Sequence, residues 1–235
     1  EAIHRSDHIL AQELAAQLKE EIENSPCFSF AVSYQNHGPY ETAATLDDTY
    51  LTPESSGLSQ ESCNIWNNYI SGAADTIDAM VGLTEELEAM DKPVVLVLFG
   101  DHKPWGGNSN DAYYGIGASF DTTTLEGFYQ YYSTPYLIWA NSAAKETLGR
   151  DFQGEGGDFS PCFLMTEIFD QCGWEGPAFM QLSRQMQDVT PLVHSQNLYW
   201  QNGAVVDALD PEGSNLLQAF LGVEYYRENE IVPGD

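Results

Sequence analysis

The sequence predicts an α/β fold in which a mostly parallel sheet is flanked by helices, followed by a helical and irregular lobe. Short apolar segments alternate with longer segments whose apolar residues recur at helical spacing, and turn-forming residues separate them. The two apolar segments of the first hundred residues are mostly apolar, which is typical of strands in a parallel sheet covered by helices. A hydrophobic content of 43% is sufficient for a packed core.

Helices and strands alternate in the first hundred residues. A helical pattern with Leu10 and Leu14 on its apolar face ends before Pro26, and a second helical pattern ends before Pro93. An apolar strand pattern follows each helix, and Gly100 ends the second strand pattern. The predicted elements are a helix at 7–23, a strand at 28–34, a helix at 61–90 and a strand at 94–99.

The second half begins with a loop and one more predicted strand. Residues 103–120 are rich in glycine, asparagine and tyrosine and indicate a loop, and residues 136–140 predict a third strand. We expect residues 1–145 to form the α/β core and residues 146–235 to form a lobe packed on it. Helical patterns in this lobe lie at about 160–171, 177–187 and 211–221, the last with Pro211 at its first position.

The charge balance limits the possible partners. The chain has 8 basic and 36 acidic residues and a formal net charge of −28. A surface this negative repels nucleic acid, so no nucleic-acid partner is expected. It also repels anionic substrates unless a cation lies in the site. No segment approaches the roughly 20 apolar residues of a membrane span, so we expect this chain to be soluble.

Residue types that ligate metals stand at the ends of two predicted strands. Asp101 and His102 follow the strand at 94–99, and His37 follows the strand at 28–34. In open α/β sheets ligands bind beyond the carboxyl ends of the strands, and carboxylate and imidazole groups suit a divalent ion such as zinc or manganese. A cap with a hydrogen-bonded histidine is the alternative for Asp101 and His102, and a turn residue is the alternative for His37.

Cysteines and aromatic residues leave alternatives open. The four cysteines have no close metal-type spacing, and they form two disulfides in one of three connectivities, or none. Several aromatic residues after His102 either line a pocket for a sugar or a lipid headgroup, or pack in the core and at its rim. These aromatic residues are Trp105, Tyr113, Tyr114, Tyr131 and Tyr132.

Four segments carry a resemblance to a known family. They read "FSFAVSYQNHGPYE" at 28–41, "NNYISGAADTIDAMVGLTEEL" at 67–87, "VVLVLFGDHKP" at 94–104 and "YYSTPYLIWAN" at 131–141. Their order and spacing resemble those of the lipoteichoic acid synthase and phosphoglycerol transferase family, within the sulfatase and alkaline phosphatase superfamily. The resemblance spans nearly the whole chain but begins near the middle of the family's sequence.

This resemblance implies a fold, a reaction and a site. The fold would be part of an alkaline-phosphatase or sulfatase-like core. Asp101 and His102 would bind manganese, or else magnesium or zinc, while His37 would contact the transferred phosphate group in the substrate pocket beside Trp105. The reaction would be phosphoryl-group transfer or hydrolysis on an anionic lipid or glycan of the cell envelope. The parent protein would lie on the extracellular face of the membrane, held by an upstream anchor.

The sequence also departs from the family pattern. The family's threonine nucleophile and one carboxylate ligand belong to its first half, and no nucleophile is assigned in this chain. Lys103-Pro104-Trp105-Gly106-Gly107 replaces the Gly and Ser that follow the histidine in the synthases. We therefore expect this chain alone to be inactive and to bind metal weakly. The alternatives are a non-catalytic module that binds an envelope glycan or a protein, and a stand-alone phosphodiesterase with an unrecognised nucleophile.

Overall fold

The chain forms two compact units in the computed structural model, which describes residues 6–194 and 196–229. The first unit covers Glu1–Thr147 and the second covers Leu148–Asp235. The elements of the first unit, the last of which ends one residue beyond it, are α1 (Ser6–Glu21), α2 (Pro53–Ser56), α3 (Gln60–Glu88), β1 (Val95–Phe99), α4 (Asp111–Gly115), α5 (Leu125–Tyr132), β2 (Tyr136–Ala140) and α6 (Ser142–Leu148).

Packing of α1 against α3 forms one core of the first unit. Ala11 and Ala15 of α1 are buried against Leu83 and Leu87 of α3, at the spacing that places them on facing stripes. The small alanines allow the two helices to approach closely. At the start of α1 the buried Asp7 carboxylate accepts a hydrogen bond from the hydroxyl of Thr76, 2.7 Å away, which fixes the two helices in register.

The strands β1 and β2 pair in antiparallel orientation, with Val95 opposite Ala140 and Phe99 opposite Tyr136. The α/β class is confirmed, but this pairing corrects the expected mostly parallel sheet. An apolar run reports that a strand is buried and carries no information on the direction of its neighbour. Buried Asn141, directly after β2, closes the pair: its side-chain oxygen accepts from the Val94 N–H, and its own N–H donates to the Val94 carbonyl.

The segment at 28–34 is a second correction. It was predicted as a strand, yet in the structure it lies in no sheet, and all seven of its residues are exposed. Its four largest apolar side chains are 66–78% exposed: Phe28, Phe30, Val32 and Tyr34. The alternating pattern is typical of a strand, but a strand also needs a partner backbone, and none pairs with it among the described residues.

The second unit combines helices with a small antiparallel sheet. A short 3-10 helix at Pro161–Phe163 leads into it, and a core of Phe163, Met186, Leu209 and Phe220 fills it. The sheet was missed from sequence because its strands are only two to four residues long. The elements are α7 (Leu164–Cys172), α8 (Ala178–Val189), β3 (Val193–His194), β4 (Leu198–Gln201), β5 (Ala204–Val206) and α9 (Pro211–Asn229).

Candidate functional site

The strand pair β1–β2 positions Asp101 and His102. Gly100, at the end of β1, donates its N–H to the Pro135 carbonyl at 3.1 Å and accepts from the Thr134 hydroxyl at 2.7 Å. A Cβ on Gly100 would lie 3.2 Å from the Thr134 Cβ, so a larger residue would push the strand ends apart. The chain therefore leaves the sheet at a fixed point, and the next two side chains project into solvent.

Asp101 and His102 face each other at this point. One oxygen of the Asp101 carboxylate accepts the His102 backbone N–H at 2.9 Å, and the other lies 3.6 Å from His102 Nε2. His102 Nδ1 lies 2.8 Å from the Lys103 carbonyl, which places a proton on Nδ1. Nε2 is then the ring nitrogen that can ligate a cation, and the Asp101 oxygen 3.6 Å away can ligate the same cation. Both side chains are well exposed, at 77% and 58%.

His37 lies beside this pair. Its ring centroid is 5.5 Å from that of His102, with the ring planes perpendicular. Tyr34 stacks on the other side of the His37 ring at 4.8 Å. His37 Nδ1 lies 2.6 Å from the Gly38 carbonyl, so this histidine also keeps its Nε2 available for a ligand. The structure thus brings together the three predicted residues, and their roles remain predictions.

Trp105 packs against neighbouring residues, which is one of the two alternatives that the sequence left open. It packs under the His37 turn, so close to Gly38 that a Cβ there would lie 2.6 Å from the Trp105 Cβ. Its ring also contacts Tyr40, at 6.5 Å between centroids, and burial raises the pKa of Tyr40 far above its usual range. Trp105 therefore supports the turn through packing, and a contact with substrate remains a prediction.

Lys103 and Gln35 help to hold the segments that carry His102 and His37, and the sequence did not identify either of them. The Lys103 ammonium donates to the Ser133 carbonyl at 2.6 Å, and burial lowers its pKa. Gln35 accepts the Asp7 N–H at 3.0 Å and donates to the Asp75 carboxylate at 2.5 Å, which ties the His37 segment to α1 and α3. The sequence marks them only by their position within two residues of a candidate histidine. Their hydrogen-bond partners lie 28 to 40 residues away and leave no local pattern.

The donor set is incomplete as a metal site. Within residues 6–194 and 196–229, no three His, Cys, Asp or Glu side chains are grouped so that they could hold a metal ion. Asp101 and His102 offer one carboxylate oxygen and one imidazole nitrogen, which suit manganese or zinc as part of a larger set. Asp101 and His102 could therefore supply some, but not all, of the ligands of a metal site.

The candidate nucleophiles of this chain are cysteine thiols and threonine hydroxyls. All four cysteines are free thiols, so the structure favours the no-disulfide alternative. Burial and the nearby Glu224 raise the pKa of Cys162 to about 11, which disfavours its thiolate. The Thr45 hydroxyl is bonded to the amides of Asn64 and Asn67. Neither Cys162 nor Thr45 therefore has the surroundings of an activated nucleophile.

Comparisons with known proteins give a family and one relative. The family model "Sulfatase" matches residues 2–173. A protein of Rhizobium meliloti (strain 1021), named "Putative cyclic beta-1,2-glucan modification protein", is 27% identical over 207 residues. That match covers 86% of this chain and 30% of the relative, so the chain spans under a third of that protein's length. No solved structure matches significantly.

A helix that crosses a bilayer must be both long and apolar. None of the helices within residues 6–194 and 196–229 combines the necessary length and apolarity. The family match covers most of the chain, including β1, β2 and the His37, Asp101 and His102 positions. The chain belongs to the sulfatase family.

Proposed function

We propose that this chain is part of a metal-dependent phosphoryl-group transferase or sulfatase-like hydrolase that acts on an anionic glycan or lipid of the cell envelope. The observation that carries the proposal is the convergence of His37 with Asp101 and His102 on one exposed surface. Family membership supports the reaction class. The name of the Rhizobium relative, which refers to glucan modification, favours a glycan over a lipid.

Asp101 and His102 would hold the divalent ion, with manganese preferred and magnesium or zinc as the other candidates. Such an ion polarises a phosphoryl or sulfuryl oxygen and offsets the negative field of the chain. His37 would bind the transferred group through Nε2, because its Nδ1 already faces the Gly38 carbonyl. When protonated, Nε2 donates a hydrogen bond to an anionic oxygen, which orients the group beside Asp101 and His102.

The remaining parts of the reaction lie outside this chain in the proposal. In the resembling lipoteichoic acid synthase family they are a threonine nucleophile and a further carboxylate, and a longer polypeptide anchored at the extracellular face of the membrane carries both. Within this reaction class, phosphoglycerol transfer is the more specific reaction that we propose. The chain alone would then be inactive and would bind the ion weakly, since two protein ligands hold an ion less firmly than four.

A manganese titration of the 235-residue protein tests the site. Free Mn²⁺, measured by electron paramagnetic resonance, should reveal a Kd on the order of 1 mM. Asp101→Asn and His102→Gln should each weaken binding about tenfold, because each removes one of two ligands. His194→Gln, on β3 of the second unit, is the matched control and should leave the Kd unchanged. Equal binding by all four proteins would contradict the proposal.

One observation favours a second function, a non-catalytic module that binds an envelope glycan. The described residues contain no complete metal-ligand group. That function predicts no manganese dependence in any assay, together with glycan affinity that survives Asp101→Asn. The stand-alone phosphodiesterase has no such observation in its favour, because burial disfavours the Cys162 thiolate and two amides engage the Thr45 hydroxyl.

A further inference from the structure

Four aromatic side chains form a patch beside the candidate site. We propose that this aromatic patch, formed by Tyr114, Phe120, Tyr131 and Tyr132, binds the sugar rings of a glycan. The inference rests on the proposed function, because it assigns the uncharged part of the same substrate to a separate surface. Asp101, His102 and His37 would receive the charged substituent, and the aromatic patch would hold the rings that carry it.

The rings of the aromatic patch follow one another without a gap. Centroid distances are 5.9 Å from Tyr114 to Phe120, 5.1 Å from Phe120 to Tyr131 and 4.7 Å from Tyr131 to Tyr132. Tyr114, Tyr131 and Tyr132 are 51%, 42% and 37% exposed. Three tyrosines and a half-buried phenylalanine thus form a continuous aromatic surface open to solvent.

A buried layer supports the aromatic patch from below. Tyr113 is 8% exposed, and its ring contacts Phe120 at 4.8 Å and Trp66 at 4.9 Å. The Trp66 indole N–H donates to the Ala112 carbonyl at 3.0 Å, which fixes α4 on α3. Because this layer is packed, the exposed rings lose little conformational freedom when a ligand binds.

Two hydrogen bonds connect residues next to the aromatic patch with Lys103 and Pro104, which follow His102. The Tyr113 hydroxyl donates to the Pro104 carbonyl at 2.9 Å, two residues after His102. The Lys103 ammonium donates to the Ser133 carbonyl at 2.6 Å, directly after Tyr132. The elements that carry the aromatic patch, α4 and α5, are therefore both tied to the two residues that follow His102.

The chemistry of the aromatic patch suits a sugar ring. A pyranose has an apolar C–H face that lies flat on an aromatic ring, and its hydroxyls can bond to tyrosine hydroxyls at the rim. Tyrosine offers this mixed surface at a small entropic cost. A neutral ring is also not repelled by a chain of net charge −28, whereas a polyanion is. These properties favour the neutral sugar units of a glycan.

Calorimetric titration with unsubstituted cyclic β-1,2-glucan tests the inference, using the 235-residue protein in EDTA so that no metal contributes. We expect a Kd on the order of 1 mM for the unaltered protein. Tyr131→Ala and Tyr114→Ala should each weaken binding about fivefold or more, while Tyr131→Phe, which keeps the ring, should stay within about twofold. Tyr225→Ala removes an exposed tyrosine from α9 and is the matched control, with no change expected.

The outcomes separate this inference from the proposed function. No glucan binding by the unaltered protein, or an equal loss in Tyr225→Ala, would overturn the aromatic patch whatever the manganese titration gives. Glucan binding that depends on Tyr114 and Tyr131 but survives His102→Gln supports the patch even if manganese does not bind. Circular dichroism of each variant identifies a loss caused by unfolding, and Tyr131→Phe remains informative if an alanine variant unfolds.

Discussion

The two sides of the candidate site are held in different ways. Asp101 and His102 leave the end of β1, whose backbone is paired with β2 and closed by the buried Asn141. His37 leaves a segment that lies in no sheet and is held by side-chain hydrogen bonds from Gln35 and its neighbours. One side is therefore fixed by the core and the other by tethers, and only the first should depend strongly on sheet integrity.

The largest effect is expected from Asn141→Ala on the β1–β2 side. The Asn141 side chain accepts from the N–H groups of Val94 and Ala144 and donates to the carbonyls of Leu87 and Lys92. Its removal leaves the buried Ala144 N–H and the part-buried Val94 N–H and Lys92 carbonyl without this partner, so the free energy of unfolding should fall by about 3 kcal/mol in a urea titration.

Asn68→Ala is the matched control for that variant. Asn68 also bonds three backbone groups, of Glu41, Ala44 and Leu46, but these lie in an exposed loop where water can replace the amide. We expect a loss of about 1 kcal/mol. Equal losses in the two variants would mean that the β1–β2 side is no more firmly held than a surface loop.

Gly38→Ala tests the other side and should have the next largest effect. A Cβ at position 38 would lie 2.6 Å from the Trp105 Cβ, so the His37 turn must shift or Trp105 must move. We expect a loss of about 2 kcal/mol in the urea titration. Gly82→Ala in α3 is the control, because its Cβ meets no atom within 4 Å and should stabilise the helix by up to about 1 kcal/mol.

A smaller, pH-dependent effect is expected at Tyr113, whose hydroxyl donates to the Pro104 carbonyl two residues after His102. Burial raises the pKa of Tyr113 to about 12, from an ordinary value near 10. The unfolded chain then loses this proton first, so the stability that neutral Tyr113 contributes is complete below pH 10 and is lost as the pH rises to about 12. Urea titrations at pH 9 and pH 11 should show this decline, and Tyr113→Phe should reduce it.

Tyr113→Phe should also lower the free energy of unfolding at neutral pH. There it removes only the hydrogen bond to the Pro104 carbonyl, so the expected loss is about 1 kcal/mol. An identical alkaline decline in Tyr113→Phe and in the unaltered protein would assign the pH dependence to another buried tyrosine, such as Tyr40, whose pKa burial also raises.

The sequence predicted the positions of β1, β2 and the long helices because local apolar periodicity encodes them. The proximity of His37 to Asp101 and His102 followed from the expectation that strand ends meet, and the structure brings the three residues together although 28–34 pairs with no strand. Strand direction, the hydrogen bonds of Gln35 and the packing of Trp105 depend on residues 28 or more positions away. No local pattern reports such contacts, so these features became visible only in the structure.

The smallest effect is expected from Phe30→Ser, in the exposed segment. Phe30 is 66% exposed, and its ring touches Phe99 only at 6.5 Å between centroids, so little apolar surface is buried there. The free energy of unfolding of this chain should change by less than about 0.5 kcal/mol, whereas Leu87→Ala, at a position 1% exposed, should cost about 3 kcal/mol. A loss above about 1 kcal/mol for Phe30→Ser would place 28–34 in a packed environment and remove the contrast between the two sides. An unchanged value would mean that the apolar alternation of 28–34 does not stabilise this chain, which leaves the segment free to pair with a further strand.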